Sequence, residues 1–264
     1  MAAVSLEHVT VRFPIYQGAA RSLRHRLISA STGGRIGGER GQLCVEALTD
    51  ISFKLEHGDR LALIGHNGAG KTTLLRVLAG IYTPESGTVK TEGRIAPLFD
   101  AGFGMDMDAS GYDNIRLRGL YLGLTKSQVE ERMPDIVEFT ELGSFLEMPM
   151  RTYSAGMQAR LSFAISTSID PEILLLDEGI GAGDAAFVEK AGRRMQSFVE
   201  RTGILVLASH SNELIRKFCN KGALVNKGKL LHFGPLEEVI EAYETHILCI
   251  RPKVDHPAET VVSS

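Results

Sequence analysis

Apolar and polar residues alternate over residues 4 to 13, Val-Ser-Leu-Glu-His-Val-Thr-Val-Arg-Phe, which predicts a strand with one solvated face. Strand character resumes at 45 to 55, and Glu56-His57-Gly58-Asp59 turns the chain into the short apolar run Arg60-Leu-Ala-Leu-Ile64. After a glycine-rich stretch, Leu74-Leu75-Arg76-Val77-Leu78-Ala79 has the apolar spacing of a helix. Turn chemistry at Tyr82-Thr83-Pro84-Glu85-Ser86-Gly87 leads into a short strand, and residues 94 to 99 predict another, ended by Asp100-Ala101-Gly102. From about 111 to 168 the period becomes helical. Leu117, Leu120, Tyr121 and Leu124 share one face, and Val129 to Phe139 and Leu161 to Ile169 continue the pattern. The wholly apolar run Ile173-Leu-Leu-Leu176 then predicts a buried strand. A helix around 185 to 201, a strand at 204 to 208 and a helix at 211 to 219 follow. A hairpin at 222 to 233 turns at Asn226-Lys227-Gly228, and a last helix covers Leu236 to Tyr243. The polar end, Arg251 to Ser264, reads as a frayed tail. The pattern is α/β, with a helical segment inserted between its two halves and no internal repeat.

One stretch breaks the order. Residues 17 to 43 carry Arg21, Arg24, Arg26, Arg35 and Arg40 among Gly33-Gly34 and Gly37-Gly38, with Glu39 in opposition. This is a basic, glycine-rich excursion, at most helical around 20 to 29. Arg21, Arg24 and Arg26 suit an anionic lipid head or the surface of a charged leaflet, and they equally suit a solvated loop with no ligand. Over the whole chain the picture is ordinary: 264 residues, 44% hydrophobic and 23% charged, are enough for one large or two small soluble domains. A net charge of −3 gives no global basic excess, so no nucleic-acid partner is expected. Cys44, Cys219 and Cys249 are odd in number and follow no metal-ligand spacing, so they read as free thiols in a reducing compartment. Neither a signal peptide nor an apolar run near the roughly 20 residues needed to span a bilayer is present. A cytosolic chain is expected, with any membrane role exerted through a partner.

The chemistry concentrates at residues 65 to 73, Gly-His66-Asn67-Gly-Ala69-Gly-Lys-Thr72-Thr73, between a predicted strand and a predicted helix. Gly65, Gly68 and Gly70 let the backbone wrap closely round an anion, and the helix that follows adds its positive end. Lys71 at that spacing reaches β- and γ-phosphates, and the Thr72 hydroxyl sits on Mg²⁺. The apolar strand ending in Asp177-Glu178 offers one carboxylate for the Mg²⁺ shell and one to polarise an attacking water. Alone, the pair would read as well as a helix cap. His210 follows the strand Ile204 to Ser209, at the carboxyl end where α/β folds place site residues. Ser154-Ala155-Gly156 sits before a predicted helix, which makes a second anion site of the same kind. A single phosphate loop has no use for a second site unless it serves another subunit's nucleotide.

The order of phosphate loop, helical insert, Ser-x-Gly motif, Leu-Leu-Leu-Asp-Glu and late histidine resembles the ATP-binding subunit of ABC transporters, over roughly residues 4 to 245. Tyr153-Ser154-Ala155-Gly156-Met157 departs from the general Leu-Ser-Gly-Gly-Gln signature. With Arg160 to Ile165, Gly183-Asp184, Phe103-Gly104 and Ser110-Gly111-Tyr-Asp-Asn114-Ile115, it is similar to the polysaccharide-export branch, whose members move O-antigen, capsular or teichoic-acid polymers. The resemblance implies a phosphate-loop NTPase (RecA-like) core with a mixed sheet, an N-terminal antiparallel β-subdomain and an inserted helical subdomain at about 102 to 168. It places the ATP-binding domain at 1–245 and a short tail at 246–264. It also implies a head-to-tail homodimer in which Ser154 and Gly156 of one copy meet the γ-phosphate held by Lys71 of the other, with Ala155 and Met157 of the same motif also at the nucleotide. Glu178 would be the general base, His210 the γ-phosphate switch and Asp184 a contact across the dimer. ATP and Mg²⁺ are the implied ligands, the implied partner is a pair of integral-membrane permease subunits, and this chain would sit peripherally on the cytoplasmic face of the inner membrane. The substrate, lipid-linked polysaccharide, would be met indirectly.

Two positions stay open. Phe13, ending the first strand, or Tyr16 just after it would stack on adenine. Most ABC ATPases carry a glutamine where this chain has Phe99-Asp100-Ala101-Gly102. Asp100 would either ligate the metal through water or merely end its strand, and a carboxylate cannot donate the hydrogen bonds an amide can. Some family members add a C-terminal carbohydrate-binding domain. Here about twenty residues follow the last predicted helix, too few for one, so substrate choice is expected to lie elsewhere. A soluble ABC regulator of nucleic acid or ribosomes would be expected to carry two cassettes or a long coiled coil. A phosphate-loop kinase would have no use for the Ser-x-Gly motif.

Overall fold

In a computed structural model of the chain, residues 1–14, 36–37, 44–98, 104–177 and 185–250 are described. Tyr16, Asp100, Glu178, Asp184, the basic excursion apart from residues 36–37, and the C-terminal tail beyond 250 lie outside them.

The alternation at the N-terminus becomes β1 (Ala3–Pro14), paired antiparallel with β3 (Cys44–Glu56) and β5 (Ser86–Glu92). The two-residue β2 (Ile36–Gly37) adds to β3, giving the order β2-β3-β1-β5. Val4 and Leu6, then Val9 and Val11, face inward. That change of parity needs one extra residue, and the register shifts between Leu6 and Val9 supply it. His8 there takes φ 52, and Asp50 opposite takes φ 55, with His8 Nδ1 2.7 Å from Asp50 Oδ1.

The second sheet runs β10-β9-β4-β8-β7-β6, parallel except for the terminal hairpin. Its strands are β4 (Arg60–Ile64), β6 (Ile95–Leu98), β7 (Ile173–Asp177), β8 (Ile204–Ala208), β9 (Lys221–Asn226) and β10 (Lys229–Pro235). The central strands are apolar without alternation because both faces are covered. Leu61, Leu63, Ile173, Leu175, Ile204 and Val206 pack with α1 (Lys71–Leu78) and the antiparallel sheet. Leu174, Leu176, Leu205 and Leu207 pack with the helical insert and α5 (Ala185–Glu200). Ala62, Ile64 and Leu224 pack beneath α6 (Asn212–Phe218) and α7 (Leu236–Ile250). The last helix thus runs seven residues beyond the predicted Tyr243.

The insert comprises α2 (Gly111–Tyr121), α3 (Lys126–Thr140), two short 3₁₀ turns and α4 (Ala155–Ser166). Ser110 caps α2, Thr125 and Gln128 form a capping box on α3, and Ser154 caps α4. The predicted apolar face of α2 is not its inner face. Leu117, Leu120 and Tyr121 are 36%, 44% and 64% exposed, and only Leu124, beyond the helix, is buried. The inner face is Gly111, Asn114, Ile115, Arg118 and Gly119. A Cβ on Gly119 would come 2.6 Å from Val129 of α3, and one on Gly111 would come 2.4 Å from the Tyr153 hydroxyl. Asn114 is wholly buried, giving hydrogen bonds to the Asp106 and Ser110 carbonyls and accepting one from the Asp106 amide. Arg118 gives one to Ser166 Oγ at 2.9 Å. Close approach and buried, hydrogen-bonded polar side chains replace apolar bulk on this side, so the most hydrophobic face of α2 is not its inner one.

Cys219 is a free thiol. Burial pushes the Cys219 thiol up to about 12, with Arg60 only partly opposing the shift. Since the thiolate is the nucleophile, native Cys219 is expected to resist iodoacetamide at pH 8 and to react once the chain is unfolded in urea. Mass spectrometry of the Cys219 peptide checks this; rapid alkylation of the native chain would contradict the burial.

Candidate functional site

The site assembles at the carboxyl edge of the parallel strands, where an α/β sheet opens a crevice. β4 delivers Gly65 to Gly70, β7 ends in Asp177, and His210 follows β8 by two residues. The loop after β4 closes on itself through Ala69 N–H to the His66 carbonyl at 3.0 Å and enters α1 at Gly70. Gly70 has φ 118, and a Cβ there would sit 3.1 Å from both the Ala47 carbonyl and Leu48 Cδ2, so glycine is required.

Lys71 is buried, and its ammonium donates to the Gly65 carbonyl at 2.5 Å and the His66 carbonyl at 3.2 Å. It also meets Nε2 of His210 at 3.3 Å. An ammonium can only donate, so that ring nitrogen accepts. The predicted switch histidine and the predicted phosphate lysine are therefore in direct contact. Thr72 donates its hydroxyl to Asp177 Oδ2 at 2.8 Å. Two oxygen ligands side by side, one a carboxylate, suit Mg²⁺, which keeps several waters and takes its other oxygens from phosphates. No cluster of three or more acidic, His or Cys ligands occurs among the described residues. That absence is compatible with a metal shared with a nucleotide.

A cavity of about 500 Å³ opens above the loop. Asn67 to Thr73, Asp177 and His210 form its polar side, and Phe13, Val45 and Ala47 form an apolar wall. Phe13 is half-buried at the end of β1 and packs edge-on against Tyr82, with ring centroids 5.0 Å apart. Tyr82 is braced in turn by Arg76, which donates to its hydroxyl at 3.2 Å. Tyr82, Val45 and Ala47 carry no motif, so the sequence had no means of marking them; only the pairing of β1 with β3 brings that wall to the loop. His66 is predicted to bind nucleotide, yet it is not among the residues around the cavity; its ring turns to the Asn67 carbonyl and to Asn226.

Ser154, Ala155, Gly156 and Met157 also lie away from the cavity of their own chain. Ser154 Oγ accepts from the Met157 N–H at 3.3 Å, and Ser154 and Ala155 are exposed. A Cβ on Gly156 would meet only Ser154 Oγ, at 3.9 Å, so open space lies above the motif. Tyr153 anchors the motif from below. It is buried, donates to the Phe145 carbonyl at 2.6 Å, and has its phenol pushed up by burial, which keeps the proton in place. The structure thus brings together Lys71, Thr72, Asp177, His210 and Phe13, and leaves the Ser-x-Gly motif as a separate, outward-facing helix start.

Residues 48–181 match the family model described as ABC transporter. The chain is 51% identical over 222 residues to the O-antigen export system ATP-binding protein RfbE of Yersinia enterocolitica, covering 84% of this chain and 93% of that protein. It is 35% identical over 241 residues to the O-antigen export system ATP-binding protein RfbB of Klebsiella pneumoniae, covering 91% and 97%. It is 34% identical over 241 residues to the teichoic acids export ATP-binding protein TagH of Bacillus anthracis, covering 91% of this chain but 42% of that longer protein. Among solved structures, an ATP-binding subunit of an ABC transporter superposes with a TM-score of 0.68 at 18% identity, over 94% of this chain and 99% of its own. The dimeric post-hydrolysis form of the cassette MJ0796 with ADP and Pi gives 0.64 at 18% identity, over 88% and 98%. These structures share the fold described above. Since the matched stretch begins in β3 and takes in the phosphate loop, the whole insert and Asp177, the chain belongs to the ABC transporter family.

Proposed function

We propose that this chain is the ATP-hydrolysing subunit of an exporter that moves lipid-linked polysaccharide through a separate membrane permease. The observation that carries the mechanism is the separation, within one chain, of the phosphate cavity from the Ser-x-Gly helix start. Two copies placed head to tail would set Ser154 and Gly156 of one against the γ-phosphate lodged at Lys71 of the other, where the N-terminus of α4 favours negative charge. Lys71 and the loop amides bind the phosphates, and Phe13 stacks on the base, with Tyr16 the alternative. Thr72 and Asp177 would hold Mg²⁺, with Asp100 a further water-mediated ligand; when bound, the ion neutralises charge on the β- and γ-oxygens. Glu178 removes the proton of the attacking water, His210 senses the γ-phosphate through its contact with Lys71, and Asp184 links the two sites. Binding closes the dimer, and hydrolysis reopens it. Export of a polysaccharide, O-antigen-like, capsular or teichoic-acid-like, is supported by the names of the relatives.

No helix among the described residues is long and apolar enough to cross a membrane. The permease would dock on the insert, where Leu117, Leu120, Tyr121, Met107, Phe145 and Met148 are exposed on one subdomain. The subunit would sit peripherally on the cytoplasmic face. Co-expression with its membrane permease should give a detergent-stable complex. Leu120→Asp with Tyr121→Asp should cut recovery of that complex about tenfold or more, since charge in an apolar interface is costly, while the isolated subunit keeps ATP binding. A wild-type chain that never copurifies with the permease would sink the export reading.

A further inference from the structure

The phosphate loop is gripped from behind by the β9–β10 hairpin. Lys227 and Gly228 take φ 47 and 77, the left-handed pair of a tight two-residue hairpin turn. The turn lies against the loop at three points. The Val225 carbonyl packs on Gly65 so closely that a Cβ there would come within 2.1 Å. The Gly228 N–H donates to the Ala69 carbonyl at 2.7 Å, and the Gly228 carbonyl accepts from Thr49 in β3 at 2.8 Å. The third contact runs through a side chain. His66 Nε2 meets the Asn226 carboxamide at 2.9 Å, while its Nδ1 donates to the Asn67 carbonyl at 2.6 Å.

A trans peptide group is planar, with its carbonyl and its N–H pointing to opposite sides. Holding the Asn67 carbonyl on His66, outside the cavity, turns the Gly68 N–H to the cavity side. Holding the Ala69 carbonyl on Gly228 does the same for the Gly70 N–H. Asn67, Gly68 and Gly70 all line the cavity, and His66 does not. We propose that His66 and Asn226 are positioning residues: a clamp that sets the peptide groups of the phosphate loop for an anion before the nucleotide arrives. His66 acts through Asn67 and Asn226 and makes no phosphate contact of its own. The inference rests on the reading of this cavity as the ATP site. Either orientation of the Asn226 amide serves, because a neutral ring accepts a hydrogen bond from it and an imidazolium gives one.

The test is a double-mutant cycle on the full chain, titrated with a fluorescent ATP analogue in Mg²⁺. His66→Ala and Asn226→Ala should each raise Kd about 5-fold, and the double variant should raise it about 5-fold again rather than about 25-fold, a coupling of about 1 kcal/mol. Asn226→Asp, which keeps a partner for the ring, should restore most of the affinity. KM should follow Kd while kcat stays within about twofold, because Lys71 and Thr72 remain in place. His66 is exposed and Asn226 only half-buried, so Tm should move little. Multiplicative losses in the double variant, no change in either single variant, or a fall in kcat at unchanged Kd would each overturn the clamp. Lys71→Ala separates the two readings: if it abolishes binding and the cycle shows nothing, only the clamp fails; if it binds normally, the ATP site itself is misplaced.

Discussion

Lys71→Ala is expected to raise the Kd for ATP by about 10²-fold or more, because the lost charge-assisted hydrogen bonds are among the strongest a protein makes. Lys71 is buried between the Gly65 and His66 carbonyls, whose oxygens it satisfies. Truncation removes the cation and also leaves those carbonyls facing an incoming triphosphate, so loss of attraction is joined by repulsion. Lys71→Arg should fail nearly as badly. The guanidinium is longer and planar, and a cleft that places one amine within 2.5 Å of a carbonyl has no room for a fork. The measurement is equilibrium binding, with the ATP-induced rise in Tm as an independent check, since a ligand that binds only the folded chain stabilises it by mass action. The same substitution releases His210 from its 3.3 Å contact with the amine, so residual hydrolysis should fall further than binding alone dictates. A Kd within threefold of the parent would place the phosphates elsewhere.

How far these roles were legible from the chain alone differs by residue, for physical reasons. The strands and α1 were plain because burial on both sheet faces leaves unbroken apolar runs such as Ile173 to Leu176, and the glycines before Lys71 are dictated by backbone geometry. The face of α2 was not, since Gly111 and Gly119 admit close neighbours and Asn114 and Arg118 are buried with partners. The face that the hydrophobic period groups, with Leu117, Leu120 and Tyr121, is therefore the one turned to solvent. His66 read as a ligand contact because it sits inside the loop motif, yet its direction is set by Asn226, 160 residues later. The parity change at His8 is a property of two strands together and leaves no mark in either alone. Ser154 was read as an anion site serving another subunit's nucleotide, and in the structure it is exposed and away from its own chain's cavity. That reading came from counting helix starts against phosphates, and hydrophobic patterning played no part in it.

Glu178→Gln is the second large effect, and it separates chemistry from binding. β7 carries Asp177 to the cavity wall, where its carboxylate accepts from Thr72, and Glu178 is the next residue in the sequence. As general base, a carboxylate there contributes about 10²- to 10⁴-fold to the rate, and the isosteric amide keeps shape and volume while losing the proton acceptor. kcat should fall by about that range with Kd for ATP unchanged, because Lys71, Thr72 and the loop amides would still bind the nucleotide. A site that binds but does not hydrolyse should trap the closed form. ATP with Mg²⁺ should then shift the variant from monomer to dimer on size-exclusion chromatography, whereas a parent dimer should turn over and dissociate. Adding Ser154→Arg to the same chain should abolish the trapped dimer without weakening binding to the monomer, since the bulky cation would block the helix start expected to face the second copy. Undiminished turnover in Glu178→Gln would remove the general base from Glu178. Slowed turnover with no ATP-dependent dimer would mean instead that one chain completes its own site, and the exposed Ser154 at the start of α4 would then need another partner.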